Sequence, residues 1–177
     1  MTWLWVLVAV LAAVLVAVWL TWTANRLDRM HHRIDVARAS VDTQLLRRSG
    51  TSLELAAAGV LDPASALLVQ DAAHQARAAS AQELESAESD LSQVLRAVLG
   101  DAEDVRALGT DPGIAALLDE LAGDCRRVEL ARRFHNDMVA TARGLRSRRR
   151  VRWLGLAGHA PEPDTVEFDD APPPALL

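Results

Sequence analysis

The sequence predicts an all-α protein: an N-terminal transmembrane helix continuing into an antiparallel bundle of three long helices, with short helices in the joints. Three observations lead there. No charged side chain precedes Arg26, and residues 4–20 are Leu, Val, Ala and Trp throughout. Beyond that run, apolar residues return at alternating spacings of three and four, the stripe of a helix that packs on its neighbours. Asp-Pro pairs and single glycines then fall where such helices start and stop, and no segment alternates convincingly with period two.

The first element is the apolar run. Trp3 and Trp5 stand at one end, and Trp19 and Trp22 at the other. At about 1.5 Å per residue, the distance from Trp3 to Trp22 is roughly 28 Å, close to the ~30 Å hydrocarbon thickness of a bilayer. Aromatic rings favour the two interfaces, and a helix satisfies its own backbone hydrogen bonds in lipid. Residues 2–24 are therefore expected to be a retained anchor. A cleaved signal would need a basic leader and a small-x-small site, whereas Trp22 flanks Thr21 and Thr23 here. Arg26, Arg29, Arg33 and Arg38 follow the run and no base precedes it. That asymmetry predicts the N-terminus outside a bacterial inner membrane and the remaining domain in the cytoplasm. A lone Cys125 agrees with a reducing compartment.

Residues 25–150 are expected to form the bundle. Leu27, Met30, Ile34, Ala37, Val41 and Leu45 carry the stripe on from the anchor without a Gly or Pro, so one rod is predicted to about Arg48. Ser49-Gly50-Thr51-Ser52 is expected to interrupt it. Thr51-Ser52-Leu53-Glu54 has the form of a capping box for a short helix to about Ala58. Asp62-Pro63 opens a second long helix, striped through Ala66, Ala73, Ala76, Leu84, Leu91, Leu95 and Val98 and stopped at Gly100. Residues 101–108 read as a short acidic helix. Asp111-Pro112 opens the third long helix, striped from Ile114 through Leu121, Cys125, Val128 and Val139 to Leu145.

Charge is segregated although the net value is only −5. There is no Lys. Residues 126–152 hold ten Arg against two carboxylates, and residues 159–177 hold five carboxylates and no Lys or Arg. Residues 151–177 are expected to be a basic and apolar juncture followed by a disordered, acidic, Pro-rich tail. Arg148, Arg149, Arg150 and Arg152, beside Trp153 and Leu154, read as a segment that docks on anionic lipid of the inner leaflet. Nucleic acid is not expected as a partner, because the domain is otherwise acidic and poor in stacking aromatics.

Two stretches resemble the LemA family of bacterial membrane proteins. The first holds Asn25, then Ala37, and seven residues later Gln44-Leu45-Leu46-Arg47-Arg48, similar to the family's Ala and Gln-Leu-x-Arg-Arg block. The second is Ala131-Arg132-Arg133-Phe134-His135-Asn136-Asp137-Met138-Val139, with Arg133, Asn136 and Val139 as motif residues, where the family has Arg-x-x-Tyr-Asn-x-x-Val. The resemblance covers roughly residues 1–146 and implies a short outer N-terminus, one span and a helical cytoplasmic bundle. It departs after the double Arg, where the family's Asp-Leu-Ile-Pro-Asn-Leu-Val is replaced by Ser49 to Leu55, so the chain reads as a divergent member. The motif residues read physically as structural contacts: Gln44 bridging helices, Asn136 pairing with it or with backbone, and Arg47 and Arg48 closing a helix at its negative end.

Signals of chemistry are sparse. His31 and His32 point about 100° apart on a helix, and Asp28 lies four residues before His32. Cys125 sits on an apolar stripe, as an inert core thiol does. No Gly-rich phosphate loop or nucleophile elbow occurs. The expected function is that of a non-enzymatic, membrane-anchored helical scaffold, without cofactor, that self-assembles or binds another protein. The alternative is a metal-dependent enzyme or accessory using Asp28, His31, His32 and His135.

Overall fold

Five α-helices and one 3₁₀ turn make up the described chain: α1 (Thr2–Ala57), α2 (Pro63–Ala78), α3 (Leu84–Val98), α4 (Ala102–Leu108), α5 (Pro112–Arg146) and the turn Pro174–Leu176. The computed structural model describes residues 2–146 and 163–177, without the side chains of residues 2, 20, 23–28 and 146. Every regular element among the described residues is helical, so the protein is all-α.

The helix starts follow local chemistry. Asp62 caps α2 by accepting from the amides of Ala64 at 3.0 Å and Ser65 at 3.1 Å, and Pro63 follows at the first helical position. Asp101 caps α4 through Glu103 N at 2.6 Å, and Asp111 caps α5 through Gly113 N at 2.7 Å. Two boundaries differ from expectation. The helix α1 does not stop near Arg48 but runs unbroken to Ala57. Its hydroxyls turn back onto the helix's own carbonyls, Ser49 onto Leu46 at 3.0 Å and Ser52 onto Arg48 at 2.7 Å. With those polar atoms satisfied and buried, the Ser-Gly-Thr-Ser stretch continues the helix. The break comes at Gly59, whose φ of +72° is open to glycine at little cost. Conversely, the expected single helix from Asp62 to Gly100 is two helices. Ser80 donates to Glu83 Oε2 through its hydroxyl at 2.7 Å and its backbone amide at 3.3 Å, and Ala79 is extended.

The chain divides into two units. In the first, described over residues 2–36, 136–146 and 163–165, Ile34, Val139 and Ala142 form a small core with Met30 and Met138. Arg143 Nε donates to the Pro163 carbonyl at 3.0 Å. The second unit holds residues 37–135 and 166–177. Its larger core draws Leu55 from α1, Val69 and Ala73 from α2, Leu91 and Leu95 from α3, and Leu121 and Cys125 from α5.

The expected single-span topology, with its inner-membrane location and membrane partner, is corrected: among the described residues, no helix is long and apolar enough to cross a membrane. A second difference lies at the C-terminus. The tail is expected from its composition to be disordered, yet Val166, Phe168 and Asp170 are buried within the second unit.

Candidate functional site

The C-terminal segment occupies a groove of the second unit. Its side chains alternate. Val166 and Phe168 enter a cluster with Val41 and Leu45 of α1 and Val128 of α5, flanked by Leu84 and Ala131. Between them, the backbone amides of Glu167 and Asp169 donate to α3, the first to Glu85 Oε1 and the second to Ser89 Oγ, both at 3.0 Å. An extended two-residue step covers about 6.6 Å, and four residues of helix rise about 6 Å. Glu85 and Ser89 are therefore spaced to meet every second amide of an extended chain running alongside. Arg96, further along α3, ends the row by donating to the Ala171 carbonyl at 2.8 Å.

Charge fixes the register of the segment. Arg132 of α5 holds Asp170 through two bonds, Nε to Oδ2 at 2.6 Å and Nη2 to Oδ1 at 3.0 Å. Its guanidinium also lies over the Phe168 ring, 5.7 Å from the centroid. A two-pronged Arg–carboxylate contact is among the stronger polar interactions, because both bonds are charge-assisted and planar. Hydrogen bonding to Asp170, opposed by partial burial, raises the affinity of Arg132 for its proton. Arg96 grips Asp169 with both terminal nitrogens, and this holds the Asp169 carboxyl below the usual carboxylate range. Past the groove, Leu176 packs against the larger core. The last residues line a cavity of about 470 Å³ together with Arg106 of α4 and Arg126 of α5.

A buried polar network lies elsewhere in the same unit. Arg48, only 1% exposed, donates to Glu88 Oε2 at 2.5 Å, to the Glu88 carbonyl at 3.2 Å and to Ser92 Oγ at 2.9 Å. Burial pushes the Glu88 carboxyl up, and the adjacent guanidinium partly opposes that. Thr51 Oγ1 reaches Asp124 Oδ2 at 2.7 Å, and Arg127 meets the other carboxylate oxygen at 2.6 Å. Cys125 is buried, and burial raises its thiol, the opposite of what a nucleophile needs. A cavity of about 290 Å³ opens between α1, α2 and the start of α3, where Arg38 and Arg77 are balanced by Asp42 and Glu88.

The residues singled out from the sequence scatter. Ala37, Leu45 and Val139 are core. Arg47 is exposed, whereas Arg48 is an interior residue of α1 tied to α3 and closes no helix. Gln44 Oε1 is buried without a hydrogen-bond partner among the described residues, so it bridges no helices through that atom. Arg133 is exposed and pairs with Glu129 one turn earlier at 2.5 Å, and Asn136 is half-buried. Of the alternative metal set, His135 is buried, His31 half-buried and His32 exposed. Among the described residues no group of three or more His, Cys, Asp or Glu is placed to hold a metal. The side chains of Asn25 and Asp28 lie outside the description, as do Arg148, Arg149, Arg150, Arg152, Trp153 and Leu154. Sequence reasoning missed the groove and the Arg48–Glu88 pair. The available signal for the groove was the alternation Val166-x-Phe168-x-Asp170 within an acidic tail. No family model matches the chain, and no curated protein or solved structure matches it either.

Proposed function

We propose that the protein is a non-enzymatic helical scaffold that binds a partner chain, built as a LemA-like antiparallel bundle. The observation that carries this reading is the groove along α3 and α5, which holds a chain segment by main-chain amides, an aromatic ring and two carboxylates. In such sites the main-chain bonds supply affinity, and pockets for alternate side chains supply specificity. Antiparallel packing is supported by register: Thr51 meets Asp124, and Leu45 shares a cluster with Val128, so rising numbers in α1 pair with falling numbers in α5. The LemA resemblance supports the same architecture. Its Gln-Leu-x-Arg-Arg block supplies Leu45 to the core and Arg48 to a buried cross-helix pair. The test is mild crosslinking of the full chain in its native cells, with metal analysis of the purified protein alongside. One dominant, reproducible partner chain is the expected result. A stoichiometric metal with no partner recovered refutes the scaffold reading.

A further inference from the structure

We infer that the α3–α5 groove is a recognition site for extended acidic segments of the form apolar-x-aromatic-x-Asp on a partner protein, with this chain's own residues 166–171 as a built-in competitor. The inference rests on the scaffold reading and names the chemistry of the partner and the means of its control.

The geometry states what the groove reads. Glu85 and Ser89 accept backbone amides, so they demand an extended chain without a proline at those two positions. The cluster around Val128 and Leu45 takes two apolar side chains two residues apart, the second an aromatic ring beneath Arg132. Arg132 and Arg96 take consecutive carboxylates with paired bonds. A basic segment lacks the two carboxylates, and a helical one has its amides engaged internally. The match is not that of an uninterrupted core element either. The segment is held to α3 by hydrogen bonds from two backbone amides and from Arg96, with no strand or helix pairing among the described residues, and Arg96 and Asp169 are both partly exposed.

The internal occupant sets the threshold for any external one. A tethered ligand acts at an effective concentration on the order of 1 mM. An internal segment whose free form binds the empty groove at about 10 μM therefore weakens any external ligand about 100-fold. Displacement therefore needs a tighter motif, a high local concentration, or loss of the charge contacts that hold the tail.

The experiment uses the full chain and a fluorescein-labelled peptide with the sequence of residues 163–177, read by fluorescence anisotropy. In the native chain the peptide binds weakly. In the F168A/D170A variant, whose own tail has lost its aromatic ring and the carboxylate held by Arg132, the peptide is expected to bind at least tenfold tighter. Adding R132A to that variant is expected to remove at least tenfold of the gain, and a peptide with Asp169 and Asp170 changed to Asn should bind as poorly. Far-UV circular dichroism accompanies each protein, and D169N/D170N is a second, volume-conserving way to release the tail. Unfolding of both released variants would make the segment a structural element and overturn the inference. So would failure of the peptide to bind a released, folded variant, or binding indifferent to R132A. Peptide binding with no cellular partner would instead defeat the scaffold reading and leave the groove's chemistry standing. A cellular partner without peptide binding would move the interaction to another surface.

Discussion

Replacing Arg48 with Met removes the cation from a buried pair while keeping most of the side-chain volume. In the native chain Arg48 and Glu88 are each 1% exposed, and the guanidinium makes three contacts to Glu88 and Ser92. Breaking one side of such a pair leaves an uncompensated buried charge, which costs about 3–5 kcal/mol. For a chain of this size that corresponds to a melting point lower by roughly 6–20 °C. The loss should depend on pH, and the sign follows from Glu88. Unfolded, its carboxyl titrates near 4.5; folded, burial raises it. A raised carboxyl binds its proton more tightly in the folded protein. Its contribution to stability is therefore fully present below the unfolded value and lost as pH rises through the folded one. Without Arg48 the folded value climbs further, so R48M should be destabilised more at pH 8 than at pH 5, where the carboxyl escapes the penalty by protonating. Urea denaturation followed by far-UV circular dichroism at the two pH values measures this. The double variant R48M/E88L should recover much of the loss at pH 8, because neither charge is then buried alone. A penalty under about 1 kcal/mol at pH 8, an effect equal at both pH values, or a double variant no better than R48M would each refute the reasoning.

Thr51→Val should cost about 1–3 kcal/mol, since it strips Asp124 of a buried 2.7 Å hydrogen bond; equal urea midpoints for native and variant would argue against that contact. Gly59→Ala should cost about 1–2 kcal/mol through its left-handed backbone alone, because a Cβ there meets nothing within 4 Å. Gly59→Asn should cost less, and a ranking with Ala the milder change would contradict the conformational account. Asp169 is depressed first by its hydrogen bonds to Arg96. Its contribution is present above the unfolded value of 3.8 and lost as pH falls through the lower folded value. Hydrogen-exchange protection of residues 166–171 should therefore hold from pH 7 to 5 and drop in more acidic buffer. Arg96→Met should flatten that dependence.

What could be read from the sequence was set by how far each residue's partner lies along the chain. Asp62, Asp101 and Asp111 cap helices through amides two and three residues away, and they announced three helix starts correctly. Ser80 and Glu83 make an equally local contact, three residues apart. The sequence hides the break there because the apolar stripe resumes beyond it at Leu84, and periodicity alone does not separate one helix from two that share a face. Arg48 failed for the opposite reason. Next to Arg47 at the edge of a Ser-Gly-Thr-Ser stretch it has the local look of a helix-closing cation. Its partner Glu88 is 40 positions away. The tail combined both difficulties. Five carboxylates and a run of prolines describe a chain that buries too little apolar surface to order itself. That inference holds only while the segment stands alone. Supplied with Arg96, Arg132 and the apolar floor around Val128, residues 166–171 form an ordered segment, because Asp169 and Asp170 each meet a guanidinium and Val166 and Phe168 enter an apolar cluster. Composition describes what a segment does by itself, whereas the order of 166–171 belongs to the groove. A segment whose order is lent by its binding site is also one that a better-fitting segment can replace.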